Sequence, residues 1–144
     1  DFRAKNPQIT NVWDMFQRDC LMSRGDNYTI ILPSGRKLTY FKVQSYPFLS
    51  GELIAGSRRE SLYGGKLTEN VVQAIARDVF TEGILQLERD GCPVLFHVHD
   101  EMILERPEDQ LAVDHIQEVL SRTPDWLKGC PISCEIKTSD YYLK

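Results

Sequence analysis

The chain has 144 residues, 42% of them hydrophobic, and a net charge of -4. That length suits one domain able to bury roughly two thirds of its unfolded surface, and the acidic balance argues against a protein whose whole surface tracks phosphate. No apolar run approaches a membrane span and Asp1-Phe2-Arg3-Ala4-Lys5 lacks the apolar core of a signal peptide, so a cytosolic protein with no membrane partner is expected.

Asn6-Pro7 opens a helix, Asn as cap and Pro at the first helical position, with Ile9, Val12, Trp13, Phe16 and Cys20 directed at a core. Tyr28 to Leu32 and Leu38 to Val43 are rich in β-branched and aromatic residues. The turn chemistry of Pro33-Ser34-Gly35-Arg36 joins them into a peripheral hairpin. Its Arg36, Lys37 and Lys42 suit a solvated strand face, with a DNA backbone as the other use for such charges. Gln44 to Arg59, with Pro47, Gly51 and Gly56, predicts an irregular connection leading through Arg58 and Arg59 to Tyr63-Gly64-Gly65-Lys66. Glycines there let backbone approach a ligand, and the cations suit phosphate as well as they suit solvent.

The longest helical pattern runs from Thr68, as cap, to Asp90, with Gly91 as a left-handed stop. Val72, Ile75, Ala76, Val79, Phe80, Ile84 and Leu87 form its apolar stripe, and Gln73, Arg77 and Glu88 lie away from it. Asn70 and Gln73, one turn apart, have the donors to hydrogen-bond minor-groove acceptors. Val94 to Phe96 and Met102 to Leu104 then flank His99-Asp100-Glu101, the pattern of two strands joined by a tight charged turn. Two adjacent carboxylates repel each other and lose hydration near packed strands, so a cation is a natural complement; a solvated loop tip is the plainer alternative. A flat strand would put His97, His99 and Glu101 on one face, suiting a different metal site, whereas a turn at His99-Asp100 breaks that alternation.

Pro107 opens a further helix carrying Leu111, Ile116, Val119 and Leu120, with His115 exposed. Trp126, Leu127 and Gly129 make a turn, and Ile132 to Ile136 alternates as a final strand. Cys20, Cys92, Cys130 and Cys134 form no Cys-x-x-Cys pair, which predicts free thiols rather than disulfides or a zinc site.

Gly64 to Asp78, followed at the right separation by His97-Val98-His99-Asp100-Glu101, resembles the last part of the palm of a family A DNA polymerase, of the phage and prophage branch. The resemblance implies an α+β fold: an antiparallel palm-type sheet with a central metal-binding hairpin packed against long helices, in one domain over 1–144. Within it, 1–60 holds a helix, a hairpin and the irregular connection, and 61–144 the long helix, the catalytic hairpin, a helix and the final strand.

It also implies template-directed transfer of a nucleotide from dNTP to a primer 3′ hydroxyl, supported by two Mg²⁺ ions, with Mn²⁺ as substitute. Asp100 matches the catalytic, metal-binding aspartate. Glu101 is a neighbour that tunes the site or binds metal weakly, and His99 contacts the primer end. Gln73 falls on the minor-groove glutamine and Asp78 on an acid of the same helix. Asn70 is displaced by one position from the family's asparagine, which aligns with Glu69. Lys66 and Arg59 are further nucleic-acid contacts.

The family's second catalytic aspartate and its nucleotide-binding fingers helix have no counterpart in these residues. The chain, which also lacks an initiator methionine, is expected to be an excised piece or one half of a split polymerase, inactive alone. Its partners would be primer–template DNA, dNTP and the remaining polymerase. An apolar sheet edge left uncovered by the absent strand invites association, including self-association. A non-catalytic DNA- or protein-binding polymerase remnant, and a small metal-dependent hydrolase using His97, His99 and Asp100, are the alternatives.

Overall fold

The computed structural model describes residues 1–45, 53–55, 60–107 and 112–142. Pro47, Gly51, Gly56, Arg58, Arg59 and Leu111 lie outside them. Helices alternate with small antiparallel sheets, an α+β arrangement, and the chain divides into two units, Asp1–Ala76 and Arg77–Lys144. No helix among the described residues is long and apolar enough to cross a membrane.

In the first unit, α1 (Phe2–Lys5) leads into α2 (Pro7–Met22), which starts at the expected Asn6-Pro7. The Asn6 amide donates to the Phe2 carbonyl at 2.9 Å instead of accepting from the first turn of α2. Only the second half of the α2 stripe reaches the core: Cys20 is buried and Phe16 packs beside it, whereas Ile9 and Val12 are exposed. Trp13 instead stacks on Phe2, at 6.3 Å between ring centroids, with the Arg3 guanidinium 5.8 Å above its ring.

Strands β1 (Tyr28–Ile31) and β2 (Lys37–Tyr40) pair in antiparallel register, Tyr28 opposite Tyr40 and Ile31 opposite Lys37. Leu32 accepts from the Gly35 amide and donates to the Arg36 carbonyl, both at 2.8 Å, and Gly35 takes a φ of 84° that glycine adopts without a Cβ penalty. This hairpin is central rather than peripheral. Tyr28 and Val43 join Cys20, Leu62 and Leu67 in the buried cluster, with Ile30 and Tyr40 against it. Within the stretch expected to be irregular lie β3 (Gln44–Ser45) and β4 (Leu53–Ala55), and β5 (Glu60–Leu62) just beyond it completes a three-stranded antiparallel sheet, each strand too short to show periodicity.

Helix α3 (Gly64–Arg89) begins four residues before Thr68. A Cβ at Gly64 would overlap the Trp13 carbonyl, so glycine permits a backbone approach to α2, and the Gly64 amide donates to Gln17 Oε1 at 3.2 Å. Thr68 therefore sits inside the helix, its hydroxyl donating back to the Gly64 carbonyl at 2.9 Å. Val72, placed in the apolar stripe by its spacing, is 59% exposed.

In the second unit α3 stops where expected. Gly91, at φ 72°, donates to the Glu88 carbonyl at 3.2 Å, and Cys92 donates to that of Leu87 at 2.8 Å, the paired bonds of a Schellman cap. Leu87 and Cys92 are both buried, supplying the apolar contact of that motif, and with Ile116 and Val119 they make the unit's core. Strands β6 (Phe96–Val98) and β7 (Glu101–Ile103) form the expected hairpin but lie nearer its tip than the apolar runs predicted: Val94 and Leu95 precede β6, and Glu101, expected in the turn, starts β7. Helix α4 (Val113–Leu120) starts after Pro107 rather than at it. A 3₁₀ turn over Asp125–Leu127 follows, with Trp126 Nε1 donating to Glu82 Oε2 at 2.7 Å.

Ile132 to Ile136 keeps the alternation of a strand, even-numbered residues half-buried and odd ones exposed, but no ladder forms over it among the described residues. It packs as an extended segment, Ile136 against the core and Cys134 Sγ 3.5 Å from Ser121 Oγ. The four cysteines are free.

Two glycines predict different costs. Gly64→Ala forces α2 and α3 apart and should cost about 1–3 kcal/mol. Gly91→Ala meets open space but strains the left-handed cap, for about 1–2 kcal/mol. Urea denaturation measures both.

Burial pushes the Cys20 thiol from 9.0 up to about 11, and burial, helped by Asp19, Cys20 and Tyr40, pushes Tyr28 from 10.0 up to about 12. Both shifts favour the neutral form in the folded state. The stability they contribute is full below about pH 9 and is lost as pH rises through the folded values. The urea midpoint should fall from pH 9 to 11, and fall less in Cys20→Ala.

Candidate functional site

The residues singled out for chemistry fall into two sets, one in each unit. In the second unit the hairpin closes at the pair Val98–Glu101, so His99 and Asp100 are the whole turn. A two-residue turn of this kind needs a left-handed residue, and His99 supplies it with a φ of 53°. Directly opposed residues share a face, so His97 and Met102 point one way, and Phe96, Val98, Glu101 and Ile103 the other. His97 and Glu101 are thus on opposite faces, unlike the flat-strand grouping of His97, His99 and Glu101.

The His97–Met102 face lies against α3. Met102 packs on the unit's core, and a Cβ added at Gly83 would come 3.4 Å from its Cε. The His97 ring meets Phe80 edge to face, 5.6 Å between centroids at 80°, and the Arg77 guanidinium lies 5.6 Å over the same Phe80 ring. On the reverse face Phe96 meets Tyr142 at 5.8 Å.

His99, Asp100 and Glu101 are exposed, and among the described residues no side chain pairs with them. Nor do any three His, Cys, Asp or Glu side chains there gather as a metal-ligand set. The turn carries two adjacent carboxylates with unused oxygens, a partial donor set for a hard cation. A groove of about 620 Å³ opens at the base of the hairpin, between Pro93–Leu95 and Glu105–Pro107, away from the turn. The acid pair is exposed at the tip of the hairpin, away from this groove.

In the first unit Glu69 organises the exposed face of α3. Its carboxylate accepts from Gln73 Nε2 at 3.2 Å and pairs with Lys66 Nζ at 3.1 Å. Exposed pairs of this kind are worth well under about 1 kcal/mol, so an incoming acceptor would displace them at little cost. Asn70 is turned elsewhere: its amide donates to the Tyr40 hydroxyl at 2.9 Å, half-buried, tying α3 to the β1–β2 hairpin. Arg36 makes a second tie, donating to the Ala74 carbonyl at 2.9 Å. Arg59 lies outside the described residues. His115 pairs with Asp90 at 3.0 Å.

Sequence reasoning missed the Arg77–Phe80–His97 row and the Tyr40–Asn70 tie. The spacing of Arg77 and Phe80, three apart on a helix, was a usable signal for the first; the second joins residues 30 apart and has no local signal.

Over 123 aligned residues the chain is 35% identical to a protein named DNA polymerase from Bacillus phage SP02. This chain is related to a DNA polymerase. The match covers 78% of the chain but 19% of that relative's length, so the chain spans about a fifth of the polymerase it resembles. No family model matches the chain, and no solved structure matches it.

The Asn70–Tyr40 bond should behave as structure. Asn70→Ala and Tyr40→Phe should each lower stability by about 0.5–1.5 kcal/mol, with the double variant costing less than their sum. Gln73→Ala should stay within about 0.5 kcal/mol of the parent. Urea denaturation of the parent and the four variants reads these outcomes.

Proposed function

We propose that this chain is the C-terminal part of a family A polymerase palm, contributing one of the two acidic centres for template-directed nucleotidyl transfer to a primer 3′ hydroxyl. The observation that carries the reading is the His99–Asp100 turn, which presents an exposed Asp100 beside Glu101 in a chain related to a DNA polymerase.

The carboxylates suit Mg²⁺ or Mn²⁺ in their chemistry: hard, anionic oxygens, adjacent and unpaired among the described residues. Asp100 would be the main ligand and Glu101 the weaker one. When bound, such an ion neutralises phosphate charge and makes a hydroxyl more acidic. The acid pair alone is too few donors for a complete site, which fits a palm whose second aspartate lies in the upstream part of the polymerase.

The chain's own groups have positioning roles. His99, fixed at the apex by its two-residue turn, meets the primer end. Gln73 offers its amide to minor-groove acceptors, which are nearly the same for every base pair and so report pair shape rather than sequence. Lys66 and Arg59 would hold backbone phosphates. Asn70, occupied by Tyr40, supports the Gln73 helix from behind.

Strand β6 leaves Phe96 and Val98, with Leu95 before it, substantially exposed. An apolar strand of this kind suits coverage by the remaining polymerase, in one longer chain or as a second subunit, or by another copy of itself.

Primer extension in Mg²⁺ or Mn²⁺ tests the reading, using the chain alone, the chain with the upstream polymerase part, and Asp100→Ala in both settings. Extension is expected only in the reconstituted mixture, and Asp100→Ala should reduce it to background. Failure of every mixture, with association of the two parts proven, would leave a DNA- or protein-binding remnant.

A further inference from the structure

The Arg77–Phe80–His97 row has no part in the roles assigned above. Arg77 and His97 are exposed and Phe80 is half-buried between them, so the row leads across the surface from α3 to the strand that ends in the His99–Asp100 turn. An exposed helical arginine is commonly neutralised by an acid three or four residues away. Here those places hold Gln73, Ala74, Phe80 and Thr81, and no described carboxylate pairs with the guanidinium. Its described contact is the Phe80 ring. A guanidinium that rests over an aromatic ring with no described carboxylate on it keeps its N–H donors for another acceptor, and its planar fork matches two oxygens of a phosphate. The acid pair at the turn makes such a cation useful, because Asp100 and Glu101 repel an anionic strand passing beside them.

We infer that Arg77, held on Phe80 and braced by His97, grips a backbone phosphate of the DNA strand that passes the His99–Asp100 turn. The assignment rests on the polymerase reading for its ligand. The bound group is a phosphodiester of the strand, not the triphosphate of the nucleotide.

Fluorescence anisotropy with a labelled primer–template across a salt series tests this, using the parent chain, Arg77→Gln, Arg77→Lys and Phe80→Leu, each checked for native circular dichroism. Arg77→Gln should weaken binding several-fold for any DNA sequence and lower the slope of log affinity against log salt by about 1. Arg77→Lys should keep the slope and recover part of the affinity, since an ammonium lacks the planar fork. Phe80→Leu should keep the slope with an intermediate affinity, because the charge stays and its platform goes. A dNTP competitor should leave these differences intact.

An unchanged slope in Arg77→Gln, or no DNA binding by the parent chain at low salt, overturns the inference. So does an effect confined to the KM for dNTP in the reconstituted extension assay. Asp100-dependent extension with an unaltered Arg77 slope would refute this contact and leave the polymerase reading standing. A lost slope without Asp100-dependent extension would do the reverse.

Discussion

The seating of one cross-strand pair on one helix decides what the second unit can do. His97 and Met102 oppose each other two residues from the turn on either side, and both rest on α3, one at Phe80 and the other beside Gly83. The absence of a side chain at Gly83 matters here: a Cβ there would stand 3.0 Å from Leu120 and 3.4 Å from Met102, so hairpin and α4 crowd the same spot on the helix. With that face occupied, Glu101 must lie on the other, and His99 and Asp100 must project from the end. The acid pair's exposure follows from packing several residues away.

The first unit solves a different problem with similar means. Gly64 lets α3 approach α2 at the Trp13 carbonyl, and the Tyr40 and Arg36 bonds hold the β1–β2 hairpin along the next turns of α3. Among the described residues the core between these elements has five buried members with three partly buried ones against it, and two of the five are the titratable Cys20 and Tyr28. With Asn70 tied to Tyr40, Glu69 and Gln73 meet each other on the outer face through a weak exposed bond, and Lys66 pairs with the same carboxylate.

Features set by local chemistry were legible in the sequence. Asn6-Pro7 started a helix, Gly91 ended one, Gly35 closed a hairpin turn, and His99-Asp100 formed the charged apex between two strands, because each depends on neighbouring residues alone. Features set by tertiary contact were not. Thr68 had the chemistry of a cap, but the helix began at Gly64, where only the approach of Trp13 distinguishes that glycine from a loop residue. Val72, Ile9 and Val12 fitted an apolar period yet are exposed, since a period identifies a face without saying how far along the helix a partner extends. The alternation of Ile132 to Ile136 was real but led to packing against α4 rather than a ladder, because period two reports which side is covered and not by what. The candidate site divides in the same way: the residues of the turn were readable, and the row that braces it was not.

The two-residue turn leaves the hairpin no slack. Adding one residue between Val98 and Glu101 with the turn kept at two residues would slide β7 by one position, so that Met102 would exchange faces with Ile103 and leave its place beside Gly83. The acidic apex and the apolar seat are therefore spaced by a single ruler, and a change of register that moved one would move the other.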